Sequence, residues 1–461
     1  MNTIKNKSLL FPLSNFLMIL LFSFFAIKID DFYTHIYSSI LMMYILFSFI
    51  NAFVYYIFNI KFFSPFNLVS LLLSLFFFVA PLIDLITNNV YFFDIYAFNT
   101  AIKSSLLFLL GYIVFTIVFI VSNKFRLNRK ISKKVDFENI SYGYKKKIGN
   151  FNKIIWTIIY LFSSINLLRS SLIGQSLGIL VENQMNSIGI FSILGYGLVV
   201  PWMYIVYTEK KLYSKLLFTF LTILLYFFNG YRFIIVIMFL SFASFYYISN
   251  DQNPRTVQIV VTAFVLVLLL SIIGYTRSFL RSGLAINLNE FSLNEILYTF
   301  QSNFGIYKAF YIMVDRMPSI IGFTYGKQFL YTFILAIPRF LWVGKPDTPL
   351  RELIFPLLGS YALVAGTAWP NIGEYYSEFG VIGICIGFSF LGIMCRIVNN
   401  TLYKSSSINT FIFACIFYGS FFQLIIRGYT PTNFWLIFAF GFFICINVLY
   451  QSLILKKGEC H

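Results

Sequence analysis

Apolar residues run through this chain in long blocks, separated by short polar turns. An α-helix needs about 20 such residues to cross a hydrocarbon layer about 30 Å thick. On that rule the pattern predicts spans near 8–27, 38–59, 67–87, 104–122, 154–168, 188–207, 216–229, 232–249, 256–275, 374–396, 409–426 and 433–453, about twelve in all. Segment 216–229 is short, so the pair flanking Asn229-Gly230-Tyr231-Arg232 reads either as two spans or as a re-entrant hairpin. Residues 8–27 have the hydropathy of a signal peptide, but they lack a small-residue cleavage site and run directly into more spans. They are read as the first helix.

The rhythm fails once, over residues 276–373, where polar residues, prolines and short apolar runs alternate. Phe291-Ser292-Leu293-Asn294-Glu295-Ile296 has the form of a capping box with a hydrophobic staple, and Leu297, Phe300, Phe304 and Tyr311 follow at near-helical spacing. That stripe predicts a helix lying along the membrane interface or covering a cavity. FLYTFILAIP, residues 329–338, is too short to span and suits a helix dipping into the outer leaflet. PRFLWVGKPDTPL, residues 338–350, adds three prolines and fixed charges. The segment reads as a folded cap over a membrane cavity.

Composition agrees with a bilayer protein. Of 461 residues, 59% are hydrophobic and 11% charged, where soluble domains have about 45–50% apolar and about 25% charged residues. The 59 phenylalanines also fit an AT-rich gene and are no functional signal by themselves. Cys385, Cys395, Cys415, Cys445 and Cys460 read as packing or tail residues, not as a disulfide framework. No nucleic-acid module is visible, so the net charge of +17 is explained by position. The run KFRLNRKISKK…YKKKIGNFNK holds ten basic residues within the loop 123–153. The bias of Lys and Arg toward the cytoplasm places that loop inside, with both termini, and residues 276–373 outside. The outer loop then carries eight basic residues against five acidic ones, which runs against the usual bias and asks for a reason.

Candidate chemistry collects at the loop's borders. In WPNIGEYYSEFGVIGICIG, residues 369–387, Pro370 suits the first turn of a helix and Glu374 and Glu378 fall on one face. Either is placed to accept a proton from a substrate hydroxyl, or to tie the cap down by pairing with loop arginines. Gly380, Gly383 and Gly387 offer a flat surface for a neighbouring helix. Arg232, Arg277, Arg281, Arg339 and Arg427 all fall at the outer headgroup level in this topology, and Lys345 is held between Gly344 and Pro346. Arginine's planar fork matches phosphate, although a snorkelling interfacial arginine is an equal alternative for any single one. His35 and His461 are the only histidines, which excludes a histidine metal cluster. No phosphate-binding loop, nucleophile elbow or dinucleotide fingerprint stands in a suitable context, and no acidic metal motif lies in the outer loop. Any catalysis is expected to be metal-free and without a cofactor.

At PRFLW-x-GKP, followed by GTAWPNIGEYYSEFG-x-x-G, the chain resembles the O-antigen polymerase (Wzy-type, oligosaccharide repeat-unit polymerase) family. The likeness is best between Gly230 and Gly387. It implies an all-α polytopic protein of the bacterial inner membrane, a single integral-membrane domain over 1–461 with its active site facing the periplasm. It also implies a glycosyltransferase whose substrates are two undecaprenyl-pyrophosphate-linked oligosaccharides, with a polysaccharide chain-length regulator as partner. In that reading Glu374, Glu378 and Arg339 carry catalysis, and Arg232, Arg277, Arg281, Lys345 and Arg427 bind pyrophosphate. An O-antigen ligase would be expected to carry a histidine in the outer loop, and residues 276–373 have none. A lipid-linked oligosaccharide flippase would show short, even loops and symmetric halves.

Overall fold

The computed structural model describes residues 10–26, 29, 31–58, 60–122, 154–165, 167–168, 195, 197–209, 211–229, 231–255, 257–259, 261, 272, 305–335, 337, 342–346, 349–359, 369–405, 408–428, 430, 441–443 and 445–446. In chain order its helices are α1 (Leu10–Phe25), α2 (Asp31–Phe58), α3 (Pro65–Ile86), α4 (Ala101–Val121), α5 (Ile154–Ile165), α6 (Val199–Thr208), α7 (Leu212–Phe228), α8 (Arg232–Ser249), α9 (Tyr307–Arg316), α10 (Lys327–Leu335), α11 (Pro349–Leu358), α12 (Asn371–Lys404) and α13 (Ile408–Ile426). A two-stranded antiparallel ribbon, β1 (Tyr91–Phe92) and β2 (Ile95–Tyr96), lies between α3 and α4.

Among the described residues, α2, α3, α12, α13 and the helical run Phe98–Val121 are long and apolar enough to cross a membrane. α1, α5, α6, α7 and α8 are apolar but shorter. The protein is thus an all-α multi-pass membrane protein, with α7 and α8 forming a pair of 17 and 18 residues around the turn at Asn229. The predicted spans 256–275 and 433–453 fall almost wholly outside the described residues, as does the capping box at 291–296.

Lipid tails are as apolar as leucine, so helices in a bilayer associate through close packing. The aromatic residues do this here. Phe77 stacks on Phe108 with centroids 4.4 Å apart, Phe47 meets Tyr112 at 4.2 Å, and Phe66 stacks on Phe115 at 5.5 Å. These contacts knit α2, α3 and α4 together. α3 lies inside the bundle and widens into a π turn over Leu75–Val79, where Phe76, Phe77 and Phe78 are all buried. α2 is peripheral: Tyr37, Tyr44 and Phe47 face inward while Met42, Phe49 and Phe53 are exposed, as a lipid-facing surface requires.

Two expectations about the loop border need correction. α12 is not one straight span. Gly380 has φ +63°, a left-handed conformation that suits glycine, and Phe379 beside it is also non-helical. The helix therefore breaks into a first leg, 371–378, and a second leg from 381 onward. The glycine stripe serves this break and not a neighbouring helix. A side chain at Gly383 would strike the Tyr375 carbonyl, and one at Gly387 would strike the Tyr375 ring, so the first leg folds back onto the second. The second concerns Tyr311: of the two readings of its stripe, burial of Tyr307 to Val314 in α9 removes the interfacial one there, while Leu297, Phe300 and Phe304 lie outside the described residues.

Candidate functional site

The first leg of α12 is the hub of one end of the bundle, and its two carboxylates hold different segments. Glu378 reaches the start of α10. Its Oε1 accepts from the backbone N–H of Gln328 at 3.0 Å and of Phe329 at 3.2 Å, and its Oε2 accepts from the Thr324 hydroxyl at 2.9 Å and from the Gly326 N–H. The first N–H groups of any helix lack partners within the helix, and the dipole there favours negative charge. Glu378 supplies both needs from another element. The Ser377 carbonyl accepts from Thr324 N–H at 2.8 Å and the Glu378 carbonyl from Tyr325 N–H at 3.0 Å, so residues 324–329 wrap this tip. Beyond it α10 exposes Phe329, Leu330 and Phe333 on one face, in keeping with a helix dipping into one leaflet.

Glu374 reaches the other way, to the turn that follows α13. The Thr430 N–H donates to Oε1 at 2.9 Å and Oε2 at 2.8 Å, and the Thr430 hydroxyl donates to Oε2 at 2.7 Å. The turn is pressed against the start of α12: Gly428 N–H donates to the Trp369 carbonyl at 2.8 Å, and a side chain at Gly428 would overlap the Asn371 backbone. Within the turn the Arg427 guanidinium lies 4.4 Å from the centroid of Phe233, the residue after Arg232. The RGYT and NGYR turns thus meet beside Glu374. The Trp369 indole N–H is buried here and makes no hydrogen bond among the described residues.

Loop helix α9 packs on the first leg through Phe310 and Tyr376, with centroids 6.0 Å apart, and the Tyr376 hydroxyl donates to the Met317 carbonyl at 3.3 Å. Its other side is fastened by a cluster that the sequence reading missed. Asp84, near the end of α3, accepts from the Tyr307 hydroxyl at 2.6 Å and pairs with Lys308 at 2.9 Å. Asn89 completes it, donating to Asp84 Oδ1 at 3.0 Å and accepting from Lys308 Nζ at 2.6 Å through its carbonyl. Burial pushes the Lys308 ammonium below its ordinary pKa, against the pull of Asp84. Burial, and then Asp84, hold the Tyr307 hydroxyl well above its own. The available signal was a lone acid within an apolar run, which in a bilayer marks a partner elsewhere in the chain.

Of the residues singled out from the sequence, the structure brings Glu374, Glu378, Arg427 and the backbone of Arg232 to this end. The Arg232 side chain, Arg277, Arg281 and Arg339 lie outside the described residues. Lys345 is not an open basic lip. It is 6% exposed and its ammonium donates to the Ile337 carbonyl at 2.9 Å. Arg316, not singled out beforehand, donates to the Leu357 carbonyl at 2.6 Å and secures the end of α11.

Fold and site together define a multi-pass helical membrane protein with a polar, loop-capped end built around a folded-back helix. The chain matches the family model described as O-antigen polysaccharide polymerase Wzy over residues 13–458, nearly its whole length, and belongs to that family. No curated protein and no solved structure matches it. Membership makes it an O-antigen polymerase in the broad sense, an enzyme of the glycosyltransferase type in a membrane.

Proposed function

We propose that this protein joins undecaprenyl-pyrophosphate-linked oligosaccharide repeat units into polysaccharide on the periplasmic face of the bacterial inner membrane. The observation that carries the reading is the meeting of Glu374, the Arg427 and Arg232 turns and the loop helices at one end of the bundle. The growing chain is passed from its lipid carrier to a hydroxyl of the terminal sugar on the next lipid-linked unit. The bond from the anomeric carbon to the pyrophosphate breaks, and a glycosidic bond forms.

Glu374 is the candidate base for the acceptor proton. Among the described residues its carboxylate is oriented by Thr430, and two carboxylate oxygens offer about four acceptor positions. Glu378 has four donors on its two oxygens and no capacity to spare. It acts as the anchor of α10. The pyrophosphate gains charge as it leaves, and fixed cations stabilise that change. Arg339, Arg232, Arg277, Arg281 and Arg427 fill this role. The buried Trp369 indole is a donor suited to a substrate oxygen.

Deleting the gene tests the reading. Lipopolysaccharide capped with single repeat units is the expected result, because ligation proceeds without polymerisation. Complete loss of O-antigen would instead assign the protein to transport or ligation. In the complemented strain, Arg339→Lys is expected to abolish long ladders as Arg339→Ala does, since an ammonium lacks the two-pronged grip on phosphate.

A further inference from the structure

The bundle end opposite this site carries a polar arrangement of its own. Along the last turns of α12, Arg396, Asn399 and Tyr403 recur at spacings of three and four, which aligns them on one helix face. Each meets a different segment. The Arg396 guanidinium lies 5.2 Å from the centroid of Phe119 on α4. Asn399 accepts from the Ser64 hydroxyl at 2.9 Å through Oδ1, which leaves its amide N–H groups as donors. Lys61 Nζ sits 4.2 Å from the centroid of the Tyr403 ring. The segment bearing Lys61 is itself fixed, because Asn67 donates to the Lys61 carbonyl at 2.8 Å and the Phe62 carbonyl at 3.0 Å.

Among the described residues this face presents donors and cations. Arg396 is half-buried, its Nε is buried without a hydrogen bond, and among the described residues no carboxylate pairs with it, with Lys61 or with Lys404. A guanidinium held partly out of water without a counter-charge is costly, and inside a membrane protein such a residue calls for a partner. α4 ends at Val121, and Lys124, Arg126, Arg129 and Lys130 follow directly in the sequence. Helix ends at this depth border the lipid headgroups, where the abundant anion is a phosphate diester. Basic pockets between helix ends are a known kind of headgroup site.

We propose that the groove between the end of α4, the start of α3 and the last turns of α12 binds the headgroup of an anionic phospholipid. Arg396 holds the phosphate through its planar fork, Asn399 donates a further hydrogen bond, and Lys61 supplies the outer positive charge. Phe119 closes one face of the guanidinium and leaves its edge for oxygen. The groove is independent of the polymerisation site and lies at the other end of the same helix.

The full-length protein, purified in detergent and stripped of lipid, is titrated with dioleoylphosphatidylglycerol while thermal unfolding is followed. Binding to the folded state alone raises the midpoint in a saturable way. The expected result is a saturable rise with phosphatidylglycerol, and a half-saturating concentration on the order of tenfold higher for Arg396→Gln, reflecting loss of a charge-assisted contact. Lys61→Gln, at an exposed position, should weaken the response in the same direction and serves if Arg396→Gln does not fold. An equal response from the wild type and both variants overturns the proposal. So does an equal response to dioleoylphosphatidylcholine, which would remove the need for net negative charge. A shift of the same size with inorganic phosphate would make the groove a site for the free anion and overturn the lipid assignment.

Discussion

Glu374 and Glu378 stand one helical turn apart on the same short leg, yet their surroundings differ in kind. Around Glu378 the protein has used every acceptor position, with donors drawn mainly from the backbone of residues 324–329. Around Glu374 the hydrogen bonds to the carboxylate come, among the described residues, from Thr430, which lies in a turn that also carries Arg427. A carboxylate satisfied by backbone is part of the scaffold. One that is held by a single side of a turn is oriented and still has something to give. Spacing along a helix places two groups on one face but does not tell which of them the rest of the chain will occupy.

Substitutions can break this contrast. Glu374→Gln keeps one oxygen to accept from Thr430, so the local fold should survive while the base is lost. Polymerisation is expected to fall by about 10²- to 10⁴-fold, read as collapse of the ladder to single-unit bands, with a nearly unchanged thermal midpoint. A ladder of normal length in this variant would end the case for Glu374 as base. Glu378→Gln should do the reverse. It replaces an acceptor oxygen by an amide N–H2 facing other donors, which costs about 2–4 kcal/mol of stability. Faster proteolysis between residues 305 and 345 and a lower midpoint are expected, with activity falling in proportion to folded protein. Thr430→Ala sharpens the comparison with the smallest effect. The backbone N–H still holds Glu374 and only the hydroxyl contact is lost, worth about 1.5 kcal/mol. A reduction in rate of roughly tenfold or less follows, seen as shorter chains at unchanged expression.

The helical, membrane-embedded character was legible from block length alone, and so was the presence of short helices (α9, α10 and α11) in the described part of the segment after α8. Glu374, Glu378 and the two arginine turns were legible as a group because polar residues in an apolar chain are few. The break in α12 was not. SEFGVIG reads as a continuous helix with a small-residue stripe, since a stripe that packs a neighbour and one that packs its own folded leg look alike in sequence. Lys345 was misplaced for a related reason: prolines and glycines predict a stiff turn, but not whether the charge it carries points out or back onto a carbonyl. The Asp84 cluster was hidden by distance along the chain.

That distance matters during synthesis. Tyr307 lies 223 residues beyond Asp84. At about 5–20 residues per second, the acid waits roughly ten to forty-five seconds in a newly made helix before the hydroxyl and ammonium that answer it exist. Throughout that interval the nascent protein carries this carboxyl near the end of α3 with Asn89, of the residues in the cluster, the one already made. Docking of α9 is therefore the step that brings Asp84 its hydroxyl and ammonium partners.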